Sequence, residues 1–381
     1  MRRRYRIPFN RPTLLGNEIE YIREAVARGH LSGDGHFSLR CAELLERELG
    51  VARALITPSC THALELCALL LALEPGAEVI VPSFAFVTTA GAFALHGATP
   101  VFADVRPDTL NLDPARVAER VSQRTRAIVA LHYAGVGCEL EELERIAERA
   151  GALLIEDNAH GLFGRYRGRP LGSFGALATQ SFHETKNFTG GEGGALLLRE
   201  QRFVARAEIL REKGTDRSRF FRGEVDKYTW VDHGSSQLAS ELVSAFLYAQ
   251  LEARAAVQTQ RARLWSRYRR ELKDWARDEG VALPCIPAHC ESAYHLFQLL
   301  LPNRRARDRL IDHLALRGIL AVFHYQPLHL SPMGQRFGGR PGDCPVSEDV
   351  SQRLLRLPLY HALSDAEQAE VIDAVRQFRA T

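Results

Sequence analysis

One lysine stands where a buried nucleophile would be useful. Lys186 lies in Ser181-Phe-His-Glu-Thr-Lys-Asn187, at the end of an apolar, strand-like run, and the glycine-rich turn Gly190-Gly-Glu-Gly-Gly194 follows it. Glycines let the backbone approach a ligand closely. A lysine held in a buried site can lose its proton and attack an aldehyde. The alternative is a solvated surface lysine, which is the commoner situation.

A second polar segment, Ile155-Glu-Asp-Asn-Ala-His160, ends the apolar run 152–155. Two adjacent carboxylates at the end of a buried strand are costly unless they are paired. Asp157 suits a protonated pyridine nitrogen, whose positive charge it would hold in place. A helix N-cap or a metal ligand explains this segment equally well when it is taken alone.

A third segment, Thr57-Pro-Ser-Cys-Thr-His62, precedes a predicted apolar helix over Ala63–Leu73. Small hydroxyl residues at a helix start leave backbone N–H groups free for an anion, and the helix dipole adds attraction. Alone, the segment is typical of a simple N-cap. Together, the three segments supply an anion site, a carboxylate and a nucleophilic lysine, which are the groups that pyridoxal 5′-phosphate (PLP) requires.

The short motifs of other ligand-binding folds are missing. The sequence has no G-x-G-x-x-G dinucleotide fingerprint and no G-x-x-x-x-G-K-[ST] phosphate loop. A G-x-S-x-G elbow and an H-E-x-x-H zinc helix are also absent. No metal site is predicted, and PLP is the cofactor that the pattern favours.

Six stretches together resemble the DegT/DnrJ/EryC1/StrS family of sugar aminotransferases. They are P-S-F-A-F-V-T-T-A at 82–90, H-Y-A-G at 132–135, E-D-N-A-H at 156–160, S-F-H-E-T-K-N at 181–187, G-G-E-G-G at 190–194 and H-Y-Q-P-L-H at 324–329. The resemblance covers nearly the whole chain. It implies an α/β protein with the PLP-dependent transferase fold type I, which is aspartate aminotransferase-like.

The resemblance also implies roles for single residues. Lys186 matches the Schiff-base lysine, and Asp157 matches the carboxylate beside the pyridine nitrogen. The other implied cofactor contacts are Phe86 stacked on the ring, His160 near the ring hydroxyl, and Cys60, Thr61 and Ser181 around the phosphate. Many relatives carry an Asn-Tyr pair after a glycine that reaches the phosphate of the neighbouring subunit. This chain departs from that pattern with Gly234-Ser-Ser-Gln-Leu238, so Ser236 is expected to take that position in a homodimer whose active sites lie at the interface.

Three stretches point to a narrower group within the family. Residues 181–187, 211–230 and 321–329 are similar to members that transfer an amino group from glutamate to C4 of dTDP-4-keto-6-deoxyglucose, which gives dTDP-4-amino-4,6-dideoxygalactose. That similarity implies substrate contacts from Arg219, Lys227, Tyr228, Tyr325 and His329, although the basic and aromatic loop 214–230 is also compatible with a solvated surface.

Other activities remain open from these residues. A different sugar, or amino transfer at C3, fits the same catalytic groups. The family's sugar dehydratases carry His at the lysine position, so Lys186 disfavours that activity. A regulatory protein that lost the chemistry is disfavoured because Lys186, Asp157 and the phosphate segment are all present.

Apolar runs and amphipathic segments alternate in the first two thirds of the chain. Strands are predicted at Glu78–Val81, Thr99–Ala103, Ala127–Leu131, Ala152–Ile155, Ala178–Phe182 and Gly194–Leu198, and helices at 17–29, 38–50, 114–122 and 140–150. This alternation is typical of a mainly parallel sheet that helices cover on both faces, with ligands at the carboxyl ends of the strands. We expect a large PLP-binding αβα domain at 1–245. A long bridging helix over about 246–277 and a smaller α+β domain then complete the chain at 246–381.

Composition limits the partners. The 381 residues include 49 Lys and Arg against 46 Asp and Glu, a net charge of +3 that gives no reason to expect nucleic acid or a membrane surface. The seven cysteines show no C-x-x-C spacing, so reduced thiols are expected. The basic segment 1–10 has no apolar run after it, and the apolar stretch 68–73 is too short for a bilayer. A cytoplasmic enzyme is therefore predicted.

Overall fold

A computed structural model describes residues 5–380, so the first four residues of the basic segment considered above lie outside the described part. Within this range the strands are β1 (Arg53–Thr57), β2 (Glu78–Pro82), β3 (Thr99–Ala103), β4 (Thr125–Leu131), β5 (Leu153–Asp157), β6 (Arg165–Tyr166), β7 (Arg169–Pro170), β8 (Leu177–Ser181), β9 (Gly194–Leu198), β10 (Cys290–Glu291), β11 (Phe297–Leu300) and β12 (Leu354–Leu357).

The α-helices of the same range are α1 (Glu18–Ala27), α2 (His36–Leu49), α3 (Cys60–Leu70), α4 (Thr88–Leu95), α5 (Pro114–Arg120), α6 (Leu140–Ala150), α7 (Val204–Arg211), α8 (Arg217–Phe221), α9 (Glu241–Glu252), α10 (Arg254–Asp278), α11 (Arg304–Leu316), α12 (Pro332–Arg336), α13 (Pro345–Arg353) and α14 (Asp365–Arg376). Among residues 5–380, none of these helices combines the length and the apolar character that a membrane span requires.

A seven-stranded sheet forms the centre of the molecule, in the order β1-β9-β8-β5-β4-β2-β3. The strands from β8 to β3 pair in parallel, whereas β9 runs antiparallel to both of its neighbours. Each of the six predicted strands overlaps one of these strands, and β1 is the member that the sequence did not reveal. The mainly parallel sheet and the fold type I class are confirmed.

Strand alternation divides the core between the two faces of the sheet. Val79 and Val81 pack with α3, α4 and α7, while Ile80 between them packs with α5 and α6. Near the other edge, Ala195 and Leu197 pack on the second face with α2 and α9. Because successive side chains of a strand point to opposite faces, these buried runs produce the predicted helix–sheet–helix layering.

A second core lies in the C-terminal part. The antiparallel pair β11–β12 packs with α10, α11 and α14 through side chains such as Tyr268, Phe297 and Leu310, and Ile7 from the N-terminal segment joins them. This arrangement of two strands and three helices is an α+β core separate from the central sheet.

The predicted single helix over 246–277 is two helices, α9 and α10, that meet at Ala253 (φ −80°, ψ 9°). Helix α9 buries Leu247 and Leu251 against the central sheet, whereas α10 buries Leu264 and Leu272 in the C-terminal core. Alanine is a good helix former, so no residue marks the break. The boundary predicted after residue 245 falls inside α9, and we propose Ala253 as the junction instead.

Candidate active site

The carboxyl ends of neighbouring parallel strands bring the polar segments together. Asp157 is the last residue of β5, and Ser181 is the last residue of β8, which pairs with β5 in parallel. Strand β1 ends at Thr57, and helix α3 begins three residues later. The three segments singled out from the sequence therefore meet at one edge of the sheet.

The two adjacent carboxylates have different partners. Glu156 accepts hydrogen bonds from the His132 ring (2.8 Å) and from the amides of Gly172 (2.8 Å), Phe174 (2.7 Å) and Gly175 (2.8 Å). Among residues 5–380, Asp157 accepts only from the Thr89 hydroxyl (2.8 Å) and the Ala159 amide (3.2 Å). Strand alternation sends the two side chains to opposite faces. Glu156 thus fixes the 172–175 turn through hydrogen bonds, whereas Asp157 remains available to a ligand in the site.

Burial affects the pKa values of the two carboxyls differently. Burial alone would raise the pKa of Glu156, but the hydrogen bonds from His132, Gly172 and Gly175 outweigh it and lower that pKa. Burial raises the pKa of Asp157, because its two hydrogen bonds do not offset the loss of water. A cation beside Asp157 would reverse this shift.

Lys186 lies in the loop between β8 and β9. Its amide donates to the His183 carbonyl (2.9 Å), which closes a tight turn. Burial lowers the pKa of Lys186 to about 8; the Asp157 carboxylate opposes this shift, and the Arg356 guanidinium contributes to it. A lysine with this pKa is partly neutral near pH 7 and can act as a nucleophile.

The backbone of the 190–194 turn lies very close to the start of α3. Ser59 caps the helix through a bond from the His62 amide, and the first bond along the helix runs from Ala63 to Ser59. A Cβ atom on Gly194 would lie 2.3 Å from the Ser59 carbonyl carbon and 2.4 Å from the Cys60 nitrogen. The last glycine of the 190–194 turn is therefore required for this contact. The amides of Cys60 and Thr61 precede the helix hydrogen bonds and suit an anion.

His160 lies at the centre of a group of aromatic rings. Its Nε2 is 3.3 Å from the Tyr325 hydroxyl, its ring stacks on His295 at 4.2 Å, and its Nδ1 is buried with no partner among residues 5–380. Burial lowers the pKa of His160 well below its usual value, so the ring is neutral. Phe86, 54% exposed, lies 6.4 Å from the Tyr325 ring.

Four other predicted residues lie on the surface. Arg219 is paired with Glu224, Tyr228 contacts Phe220, and Lys227 is exposed beside them. Ser236 is exposed and forms an isolated bridge with Glu212. Their roles toward a substrate or a partner subunit stay predictions.

His329 is enclosed by the protein. Its Nδ1 lies 2.6 Å from the Ser83 hydroxyl, its Nε2 lies 3.0 Å from Glu348, and the side chain has no exposed surface. Both ring nitrogens are occupied by protein groups, and a substrate contact from His329 stays a prediction. Through these bonds His329 fixes the 328–330 turn beside β2.

Sequence reasoning missed several residues around the site. Thr89 donates a hydrogen bond to Asp157, and Asn187, the residue after Lys186, bonds to His295, whose ring stacks on His160. Arg356 lowers the pKa of Lys186. Asn187 follows the lysine directly and offered a signal. Arg356 lies between leucines in β12, where nothing distinguishes it from a surface residue of an edge strand.

Comparison with known proteins identifies the family of this chain. The family model described as the DegT/DnrJ/EryC1/StrS aminotransferase family matches residues 12–376. The chain belongs to this family. It is 30% identical to the spore coat polysaccharide biosynthesis protein SpsC of Bacillus subtilis, over 98% of this chain and 97% of that protein. The family assignment makes the chain a PLP-dependent sugar aminotransferase.

Two solved structures are similar over almost their whole length. The aminotransferase TlmJ of Streptoalloteichus hindustanus is 30% identical, with 98% of this chain and 97% of that chain covered and a TM-score of 0.87. The PLP form of the sugar aminotransferase Spr1654 of Streptococcus pneumoniae is 24% identical, with 98% of each chain covered and a TM-score of 0.89. The second likeness shows the fold.

The residues present fit the PLP cofactor of the family. A lysine of lowered pKa, a buried carboxylate with two donors and an imidazole nitrogen without a partner in the described range lie at one sheet edge, near a helix start suited to phosphate. When bound, PLP supplies an aldehyde for an amine and a protonated ring that withdraws electrons from the reacting carbon.

Proposed function

We propose that the enzyme transfers the amino group of glutamate to C4 of dTDP-4-keto-6-deoxyglucose and releases dTDP-4-amino-4,6-dideoxygalactose. The observation that carries this proposal is the close similarity of 181–187, 211–230 and 321–329 to family members with that activity. The first and third of these stretches contain Lys186 and Tyr325, and the Tyr325 hydroxyl reaches His160 in the site.

We propose the following roles for the site residues. Lys186 would hold the cofactor covalently through its Nζ, and as a free amine that Nζ would accept the proton that leaves the donor's Cα. Asp157 keeps the ring nitrogen protonated, and His160 lies beside the ring hydroxyl. Phe86 stacks on the ring. The start of α3 at Cys60 and Thr61, together with Ser181, binds the phosphate.

The loop 214–230 is proposed to bind the nucleotide. Arg217 lies 5.1 Å over the Phe221 ring and 5.9 Å over the Tyr228 ring, and Phe221 is 70% exposed. Cations beside open aromatic faces suit a diphosphate and a base. Lys227 of the same loop adds positive charge at the surface, and the Arg219 guanidinium is exposed there in its pair with Glu224.

We further propose a cytoplasmic homodimer with active sites at the interface, in which Ser236 reaches the partner's phosphate site. Trp230, on the segment that leads to Ser236, is 76% exposed, and a large exposed aromatic is typical of an interface anchor. Light scattering combined with assays of Ser236→Ala is the test. A fully active monomer would exclude the dimer model.

The substrate proposal is tested with purified enzyme, PLP, glutamate and a panel of nucleotide-linked keto sugars, with Lys186→Ala as the inactive control. The dTDP sugar should give the highest kcat/KM. Proton NMR of the product should show a small H3–H4 coupling, because an axial 4-amino group places H4 equatorially. A large coupling, amino transfer at C3, or a preference for another nucleotide would refute the assignment of the sugar.

A further inference from the structure

Asn187, the residue after Lys186, is anchored by two hydrogen bonds. Its side-chain Nδ2 donates to the Ala293 carbonyl (2.7 Å), and its Oδ1 lies 3.0 Å from His295 Nδ1. Since a carbonyl can only accept, the first bond fixes the orientation of the amide. The Oδ1 must then accept, so His295 carries its proton on Nδ1.

His295 in turn supports His160. The two rings stack at 4.2 Å with an interplanar angle of 27°, and both are buried. Burial lowers the pKa values of both imidazoles well below their usual range, so two neutral rings stack without charge repulsion. At the edge of the His160 ring, Nε2 lies within hydrogen-bond distance of the Tyr325 hydroxyl.

The backbone under His295 is fixed from a different part of the molecule. Arg261 of α10, 3% exposed, donates to the carbonyls of Tyr294 (3.0 Å) and His295. Tyr294 has a φ of 52°, a strained value for a bulky residue that the surrounding bonds must maintain. His295 is therefore presented by a rigid segment.

We propose that His295 is a positioning residue for the aminotransferase site. Through Asn187 it fixes the segment that carries Lys186, and through its ring it fixes the plane of His160, so one side chain sets the relation between the two groups. This inference rests on the proposed roles of Lys186 and His160, and it is independent of which sugar is used.

Two substitutions separate the two contacts of His295. His295→Phe keeps a stacking ring and loses the bond to Asn187, whereas His295→Gln keeps a polar group for Asn187 and loses the ring. The matched control is His289→Phe, because His289 also lies beside an aromatic ring, Tyr166 at 5.2 Å, and bonds to a side chain, Glu139.

The first measurement uses the protein without cofactor. In ¹⁵N-histidine NMR, the signal lost in His295→Gln should show a neutral ring protonated on Nδ1, and Asn187→Ala should change that signal. The second measurement is the visible absorbance of the PLP-bound protein against pH, recorded without sugar. Both His295 variants should shift its midpoint, and His289→Phe should not.

Turnover gives the third measurement. We expect kcat to fall roughly 10- to 100-fold in His295→Gln, because small misplacements of reacting groups have effects of this size, with little change in the KM for glutamate. An absorbance titration and a kcat equal to those of the parent enzyme would overturn the proposal. If His295→Gln does not fold, His295→Phe and Asn187→Ala decide by the same absorbance criterion.

Discussion

The sharpest prediction concerns the protonation of Lys186 in the protein without cofactor. Burial lowers its pKa from 10.5 to about 8. At pH 7 about one molecule in ten then carries a neutral amine, compared with about three in ten thousand for an unperturbed lysine, a ratio of about 300. The amine should therefore become reactive well below the pH at which ordinary lysines do.

Competitive labelling with trace acetic anhydride measures this. The chain has only four lysines, so peptide mapping by mass spectrometry resolves Lys186 from the exposed Lys273 in one sample. The pH dependence of each rate, rather than its absolute size, reports the protonation and is insensitive to partial burial. A Lys186 midpoint equal to that of Lys273 would refute the reasoning.

Two substitutions should move this midpoint in opposite directions. Arg356 lowers the pKa of Lys186, so Arg356→Gln should raise the midpoint, and Arg356→Lys should leave it nearly unchanged. Asp157 raises the pKa of Lys186, so Asp157→Asn should lower the midpoint. If the midpoint moved in the same direction in Arg356→Gln and Asp157→Asn, a general change of packing, rather than charge, would set the pKa of Lys186.

Three further outcomes are expected. Asp157→Asn should still bind some PLP but lose several orders of magnitude in kcat, because the electron-withdrawing ring is no longer kept protonated; near-normal kcat would exclude the role of Asp157. Gly194→Ala should lower the thermal midpoint and weaken PLP binding, because its Cβ would overlap the start of α3. In the control Gly191→Ala, no atom lies within 4 Å of the new Cβ but φ is 84°, so this variant should be less stable and bind PLP normally. Lys186→Met should raise the free energy of unfolding of the cofactor-free protein by about 3 kcal/mol at pH 7, because burial penalises the charged lysine only in the folded state. Urea titrations at several pH values should show that this stabilisation shrinks above pH 8 and vanishes above 10.5, the pKa of the lysine in the unfolded chain.

Much of the fold could be predicted because its signals are local. Each of the six predicted strands is an apolar run that needs no distant partner to be recognised. Strand β1 was missed because only Ala54, Leu55 and Ile56 form its apolar centre, with Arg53 before them and the polar segment after them. The break at Ala253 was missed because it depends on the core into which each half of the segment packs, and the residue type at the break carries no signal of that.

The site was predictable where strands deliver the residues and less so where loops do. Asp157 and Ser181 close strands, so the rule for parallel sheets places them together. Arg356 and His295 come from far along the chain, and no spacing links them to Lys186. His329 belongs to a motif near the site, and nothing in that motif showed that Ser83 and Glu348 would occupy both of its ring nitrogens.

Glu156 and Asp157 show what the sequence could not decide. Both are buried acids in one strand, so composition and burial treat them alike. The difference is the number of donors within the described part of the chain: four hydrogen bonds stabilise the charge of Glu156, while Asp157 has two and a raised pKa. A carboxylate that the fold satisfies fully has no need of a ligand, whereas one left short of donors gains from a nearby cation. Side chains alternate along β5, so the fully bonded carboxylate lies on one face of the sheet and the under-bonded one on the other. A shift of one residue in the pairing of β5 would therefore bring Glu156, in place of Asp157, to the face of the site.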